Sequence, residues 1–186
     1  DSGTGRWTVI KIPTLSFYEY CQLLQLDDMP LLPDHLKITD IPKMENAEVA
    51  DLMARFEPLV KHFNRYLTIG GFPELALSDD DLYAQRMLRE DVVDKVIKRD
   101  VLTLFKVRSP LLMEKLFLYL CMNSTEIFSA TTAAKELDNI SPNTIESYVD
   151  ALVKSNLIYM AYPIAVGSKS VLKGRPKIYI ADAAIR

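Results

Sequence analysis

The chain has 186 residues, 49% of them hydrophobic and 25% charged, which suits one ordinary domain or two small ones with a real apolar core and excludes a largely disordered chain. Its net charge of −3 carries no global basic excess of the kind that marks nucleic-acid, heparin or anionic-membrane binding. Apolar runs fall short of the roughly 20 residues of a bilayer span, no secretory leader pattern opens the chain, and Cys21 and Cys121 have no second cysteine or histidine at ligand spacing. No membrane partner, no metal, no disulfide and a cytoplasmic location are therefore expected.

In chain order, Asp1 to Arg6 is rich in Gly and Ser, and Trp7 to Ile12 alternates apolar and polar residues as a half-buried strand does. A strand with no partner nearby leaves an open edge, so upstream sequence is expected to complete it. Ser16 and Glu19 have capping-box spacing ahead of Phe17, Tyr20, Leu23 and Leu24, which predicts a helix over Phe17 to Gln25. Asp27 to Pro42 reads as a proline-rich connector. A long helix is predicted from Asn46 to Thr68, with Val49, Leu52, Met53, Phe56, Leu59, Val60, Phe63 and Leu67 on one stripe and Pro58 placed to kink or split it. Gly70, Gly71 and Pro73 then stop the helix and form a tight corner, since glycine permits positive φ and a residue before proline is held extended. Asp79 to Asp81 cap a further helix running to about Phe105, buried through Leu88, Val92, Val96, Ile97, Leu104 and Phe105.

From Ser109 the pattern changes. Leu111 to Met122 is apolar nearly all round, Ser129 to Leu137 is a short helix, Asp138-Asn139-Ile140 makes a turn, and Ser141-Pro142 opens a helix to about Ser155. This is helix-turn-helix spacing, with Ile145, Val149, Leu152 and Val153 inward and Asn143, Thr144, Glu146, Ser147 and Asp150 outward. Leu157 to Ile164 and Lys177 to Ile180 alternate as strands, and the segment from Gly167 to Pro176 between them has the composition of a wing. The predicted fold is mostly α with a small β component: a helical linker or lid region followed by a winged helix-turn-helix domain.

Four islands carry a family resemblance: Gly5-Arg6 with Leu15-Ser16-Phe17-Tyr18-Glu19-Tyr20, then Gly70-Gly71-Phe72-Pro73-Glu74, then Arg99-Asp100-Val101, then Lys177-Ile178-Tyr179-Ile180-Ala181-Asp182. In this order they resemble prokaryotic AAA-type ATPases with a C-terminal winged-helix domain. The resemblance implies three parts: residues 1–15 as the tail of the ATPase module, 16–108 as the helical linker, and 109–186 as the winged helix. It also implies a parent protein that binds ATP and magnesium and hydrolyses ATP. No G-x-x-x-x-G-K-[ST] phosphate loop occurs in these 186 residues, so the chain as given is expected to be non-catalytic and to hold no cofactor. Thr14 stands where the family commonly has proline before Leu-Ser-Phe, and Val101 replaces the usual isoleucine after Arg-Asp.

Candidate residues follow from charge and side-chain type. From Leu24 to Glu57 eight acids face three bases, whereas from Lys154 to Arg186 six bases face one acid, so any phosphate contact belongs to the C-terminal end. There Asn143, Thr144 and Ser147 are placed to meet base edges, with Lys169, Lys173, Arg175 and Lys177 on phosphates. Glu146 and Asp150 oppose this, because carboxylates facing a duplex cost affinity, and a docking or self-association surface for protein is the alternative. Arg6 has the chemistry to sense a γ-phosphate held by the parent, against its reading as a surface arginine. Gly70, Gly71 and Pro73 are assigned backbone roles, and Arg99 with Asp100 is expected to form a buried ion pair joining the helical and winged parts.

Overall fold

The computed structural model describes residues 10, 12–26, 29–30, 36–101, 107–164 and 174–185, excluding the side chains of Val92 and Asp100. The fold is mostly α with a single two-stranded antiparallel sheet among the described residues. The predicted strand over Trp7 to Ile12, Arg6, and the wing residues Lys169 and Lys173 lie outside the described set or largely so, as does the end of the helix at Leu104 and Phe105.

Local chemistry accounts for the helix starts. Helix α1 (Phe17–Leu23) opens on the expected capping box: the Ser16 hydroxyl accepts from the Glu19 N–H and the Glu19 carboxylate accepts from the Ser16 N–H at 2.8 Å. The long helix predicted from Asn46 breaks at Pro58 into α2 (Asn46–Phe56), a 3₁₀ turn (Glu57–Leu59) and α3 (Val60–Ile69). Its apolar stripe is only partly covered: Met53 remains 69% exposed and Phe63 43%, although Phe63 packs edge-on against Phe17. A short α4 (Pro73–Ala76) turns the chain into α5 (Asp81–Met87), capped by Asp80, whose carboxylate accepts from the Tyr83 N–H. The helix then continues with π winding over Leu88–Asp94 and Val96–Val101.

Three further helices follow: α6 (Pro110–Met122), α7 (Ala130–Glu136) and α8 (Pro142–Lys154). Ser109 and Ser129 cap the first two through their hydroxyls, each with an acceptor position for a backbone N–H three residues on. Ser141, expected to cap α8, makes no side-chain cap bond; Pro142 at the first position starts that helix instead. Asp138 and Asn139 both take positive φ in the turn before it, a conformation these short polar side chains tolerate. Strand β1 (Ile158–Ala161) pairs with β2 (Lys177–Ile180), Ile158 facing Ile180 and Ala161 facing Lys177.

Two apolar clusters form. One gathers Tyr20, Cys21, Ile69, Leu75, Ala76, Ala84 and Leu88; the other gathers Ile97 and Val101 with the buried faces of α6, α7 and α8 and the sheet. The π-wound helix runs from one to the other. Arg65 ties the first cluster together from α3, donating to the Tyr20 hydroxyl (2.8 Å), the Ala76 carbonyl (3.0 Å), the Ser78 carbonyl and the Asp81 carboxylate (2.8 Å).

Candidate functional site

The exposed face of α8 carries the residues expected to meet base edges. Asn143 and Ser147 are exposed there as expected, while Thr144 is half-buried and so less available. Inward, Ile145, Val149 and Leu152 are buried, joined by Tyr148 and Ala151, whereas Val153 is half-buried. The Tyr148 hydroxyl accepts from the Ser109 N–H at 3.0 Å, binding α8 to the start of α6. Arg175 and Lys177 are exposed at the base of β2.

A groove of about 800 Å³ opens between α8, the start of α7 and the hairpin. Glu146 and Asp150 line it from α8, Tyr159 from β1, Tyr162 from just beyond it, and Arg175 from the segment that leads into β2. Asp150 is also paired to Lys154 at 2.6 Å, one helical turn on. The groove therefore offers two carboxylates, two phenol rings and a guanidinium.

The second candidate is the glycine corner. Gly70 sits at φ +79° with its backbone extended beyond, a region open essentially to glycine. A Cβ on Gly70 would lie 2.6 Å from Asp182 Oδ1, and one on Gly71 would run into the Leu15 carbonyl oxygen. Asp182 reaches this corner from the turn after β2. Its Oδ2 accepts from the Gly71 N–H at 2.8 Å and its Oδ1 from the Ala184 N–H at 3.0 Å. The Gly71 carbonyl in turn accepts from the Leu15 N–H at 2.7 Å, and the Tyr66 hydroxyl donates to the Leu15 carbonyl at 2.8 Å. Burial, followed by the nearby carboxylates of Asp182 and Glu19, raises the Tyr66 pKa above its ordinary value, so its hydroxyl keeps its proton and remains a donor. Leu15, Gly70-Gly71 and Asp182, drawn from three of the islands noted in the sequence, thus meet at one point.

The ion pair expected between Arg99 and Asp100 lies partly outside the described residues. Arg99 is exposed, and the Asp100 side chain lies outside the described residues. Among the described residues Lys98 pairs with Asp94 of its own helix at 3.2 Å and reaches Glu114 of α6 at 3.7 Å, in solvent, where an ammonium need not lose its hydration. Pro73 begins α4 as a backbone element. Sequence reasoning assigned no role to Arg65 or to Asp182 individually. The one signal available for Asp182 was its place at the end of an island. Among the described residues no cluster of three or more His, Cys, Asp or Glu side chains could hold a metal ion, and no helix is long and apolar enough to cross a membrane.

Comparison with known proteins places residues 60–186 under a family model described as a domain of unknown function, DUF8612. The chain belongs to the DUF8612 family. The DUF8612 match begins at the first residue of α3 and so includes both Gly71 and Asp182. Similar curated proteins are an uncharacterized protein of Haemophilus influenzae, 24% identical over 98% of this chain and 40% of its own length, and one of Methanocaldococcus jannaschii, 25% identical over 79% of this chain and 34% of its own. The chain thus spans well under half the length of these relatives. No solved structure matches it.

Proposed function

We propose that this DUF8612 chain is the non-catalytic C-terminal portion of a larger AAA-type ATPase, and that its residues 109–186 are a winged helix serving as a protein-docking module. The ATPase reading is supported by the four islands and their order, by the meeting of three of them at the glycine corner, and by relatives more than twice as long as the matched region. On this reading ATP and magnesium bind the parent, because the 186 residues contain no phosphate loop. The winged-helix reading is supported by three helices followed by an antiparallel hairpin.

The observation that carries docking over DNA binding is that Glu146 and Asp150 line the same groove as Arg175. The positive end of the hairpin therefore does not continue onto the helix as one basic face, and a duplex laid there would meet two carboxylates. A docked polypeptide, including a second copy of the chain, can pair with both signs and stack on Tyr159 and Tyr162. DNA binding is the second reading, favoured by exposed Asn143 and Ser147 and by the basic excess after Lys154.

Fluorescence anisotropy of a labelled mixed-sequence duplex, titrated with the chain at several salt concentrations, separates the two. Docking predicts no binding by the wild type at low salt, with binding gained when Glu146→Gln and Asp150→Asn remove the carboxylates. Wild-type binding whose log affinity falls by about 0.9 per phosphate contact in log salt, with a shallower slope in Arg175→Ala/Lys177→Ala, would establish the DNA reading instead.

A further inference from the structure

Asp182 is the one buried charged residue among the described residues, 5% exposed, and no lysine or arginine there pairs with it. Among the described residues two backbone N–H groups hold it, and a buried carboxylate without a paired cation there is costly, so its placement needs a reason. One of its donors, Ala184, belongs to its own turn, and the other, Gly71, belongs to the helical part 111 residues away in sequence. The same glycine holds the chain arriving at Leu15 through its carbonyl.

Two open clefts flank this contact. One, of about 490 Å³, is lined by Thr68 and Gln85 from the helical part, by Ile97 of the π-wound helix and by Glu114, Phe117 and Leu118 from α6. A second, of about 550 Å³, lies on the other side between Ile12, Pro13 and Phe72 and the residues Leu157 and Tyr159. Among the described residues, the π-wound helix from Leu88 to Val101, the turn carrying Ala184 and Ile185, and the Asp182 contact cross between the parts. π winding is uncommon and concentrates at functional positions.

We infer that Asp182 is a conformational latch. Closed, it docks the C-terminal part on the glycine corner; released, it frees that part to move about the π-wound helix. Because Gly71 binds Asp182 through its N–H and Leu15 through its carbonyl, displacement of the chain at Leu15 shifts the residue that Asp182 grips and opens the latch. The device stands independently of whether α8 docks protein or DNA, since it involves neither the groove nor the hairpin tip.

The test is amide hydrogen exchange on the whole chain for wild type, Asp182→Asn and Tyr66→Phe, together with energy transfer between labels on Arg55→Cys and Lys135→Cys, both exposed and one in each part. An asparagine supplies one acceptor oxygen where two are used, and its NH₂ cannot receive a backbone proton. Asp182→Asn is expected to speed exchange at Gly71 or Ala184 by about fivefold or more and to broaden the label separation, with the amides of Ile69 and Leu120 unchanged. Tyr66→Phe removes the hydroxyl that fixes Leu15 without touching either Asp182 contact, and it is expected to speed exchange at Ala184 as well. Wild-type exchange and separation in Asp182→Asn would overturn the latch. So would equal acceleration at Ile69, Leu120 and Gly71, which would make Asp182 a general support of the fold. An unchanged Ala184 rate in Tyr66→Phe would overturn the coupling to Leu15.

Discussion

Gly70 illustrates how one residue type can be demanded twice. Its φ of +79° with extended ψ is a region that side-chain-bearing residues occupy at a cost on the order of 1–3 kcal/mol, and the space where a Cβ would stand is filled by Asp182 Oδ1. Gly70→Ala is therefore expected to lower unfolding free energy by at least about that amount, read as a shift in the urea midpoint with an unchanged slope. His62 supplies a pH dependence of definite sign. Burial, then the charges of Lys61 and Arg65, lower its pKa below the ordinary 6.5, so the folded state favours the neutral ring. A group whose folded pKa is depressed contributes stability that is present above its unfolded value and lost as pH falls through the folded one. Stability should thus decline below about pH 6.5, and His62→Gln should flatten part of that decline in midpoints measured between pH 7 and pH 5, a window set by the ordinary histidine value.

At the scale of elements, short polar signals decide where helices begin. Ser109 holds the Leu112 N–H with its hydroxyl while its own N–H donates to the Tyr148 hydroxyl, so one residue caps α6 and fastens it to α8. Ser109→Ala removes the cap but keeps the backbone bond to Tyr148. The expected loss is about 1 kcal/mol, typical of a lost helix cap, seen in thermal unfolding as a modest drop in Tm. Arg65 works by the same logic across elements, its planar fork reaching α1, α4 and α5 from α3. Lysine at this position would keep the charge and lose the fork.

For the whole molecule, the presence of two apolar clusters matters more than the number of helices. Leu116 is fully buried in the cluster formed by α6, α7, α8 and the sheet, and Ile69 is fully buried in the other. Leu116→Ala should cost about 2–5 kcal/mol, as truncation in a packed core does. With cavities between the parts, that loss should appear as faster amide exchange across α6 to α8 while Ile69 and Ala84 keep more of their protection. Uniform acceleration across both clusters would show that the chain opens as a single cooperative unit.

Much of the fold is legible in the sequence because its signals are local. The capping box at Ser16 and Glu19, the break at Pro58, the cap at Asp80, Pro142 at the head of α8 and the alternation of β2 each act over a few residues through hydrogen-bond geometry or side-chain period. The glycine corner was legible as a turn, but not as the seat of Asp182. Charge order along a helix does not say which side chain meets Glu114, and it is Lys98 that does. The sequence by itself determined most helix starts, the break at Pro58 and the alternation of β2, but not the 3₁₀ turn at Ile38–Lys43, the short helix at Pro73–Ala76 or the π winding after Leu88. Only the tertiary structure decided that Leu15, Gly71 and Asp182 meet, that Arg65 is a hub, and that Glu146 and Asp150 share a groove with Arg175. The physical reason is that a contact between residues 111 apart has no period, cap or spacing to announce it; it exists only once packing has brought the partners within hydrogen-bond reach.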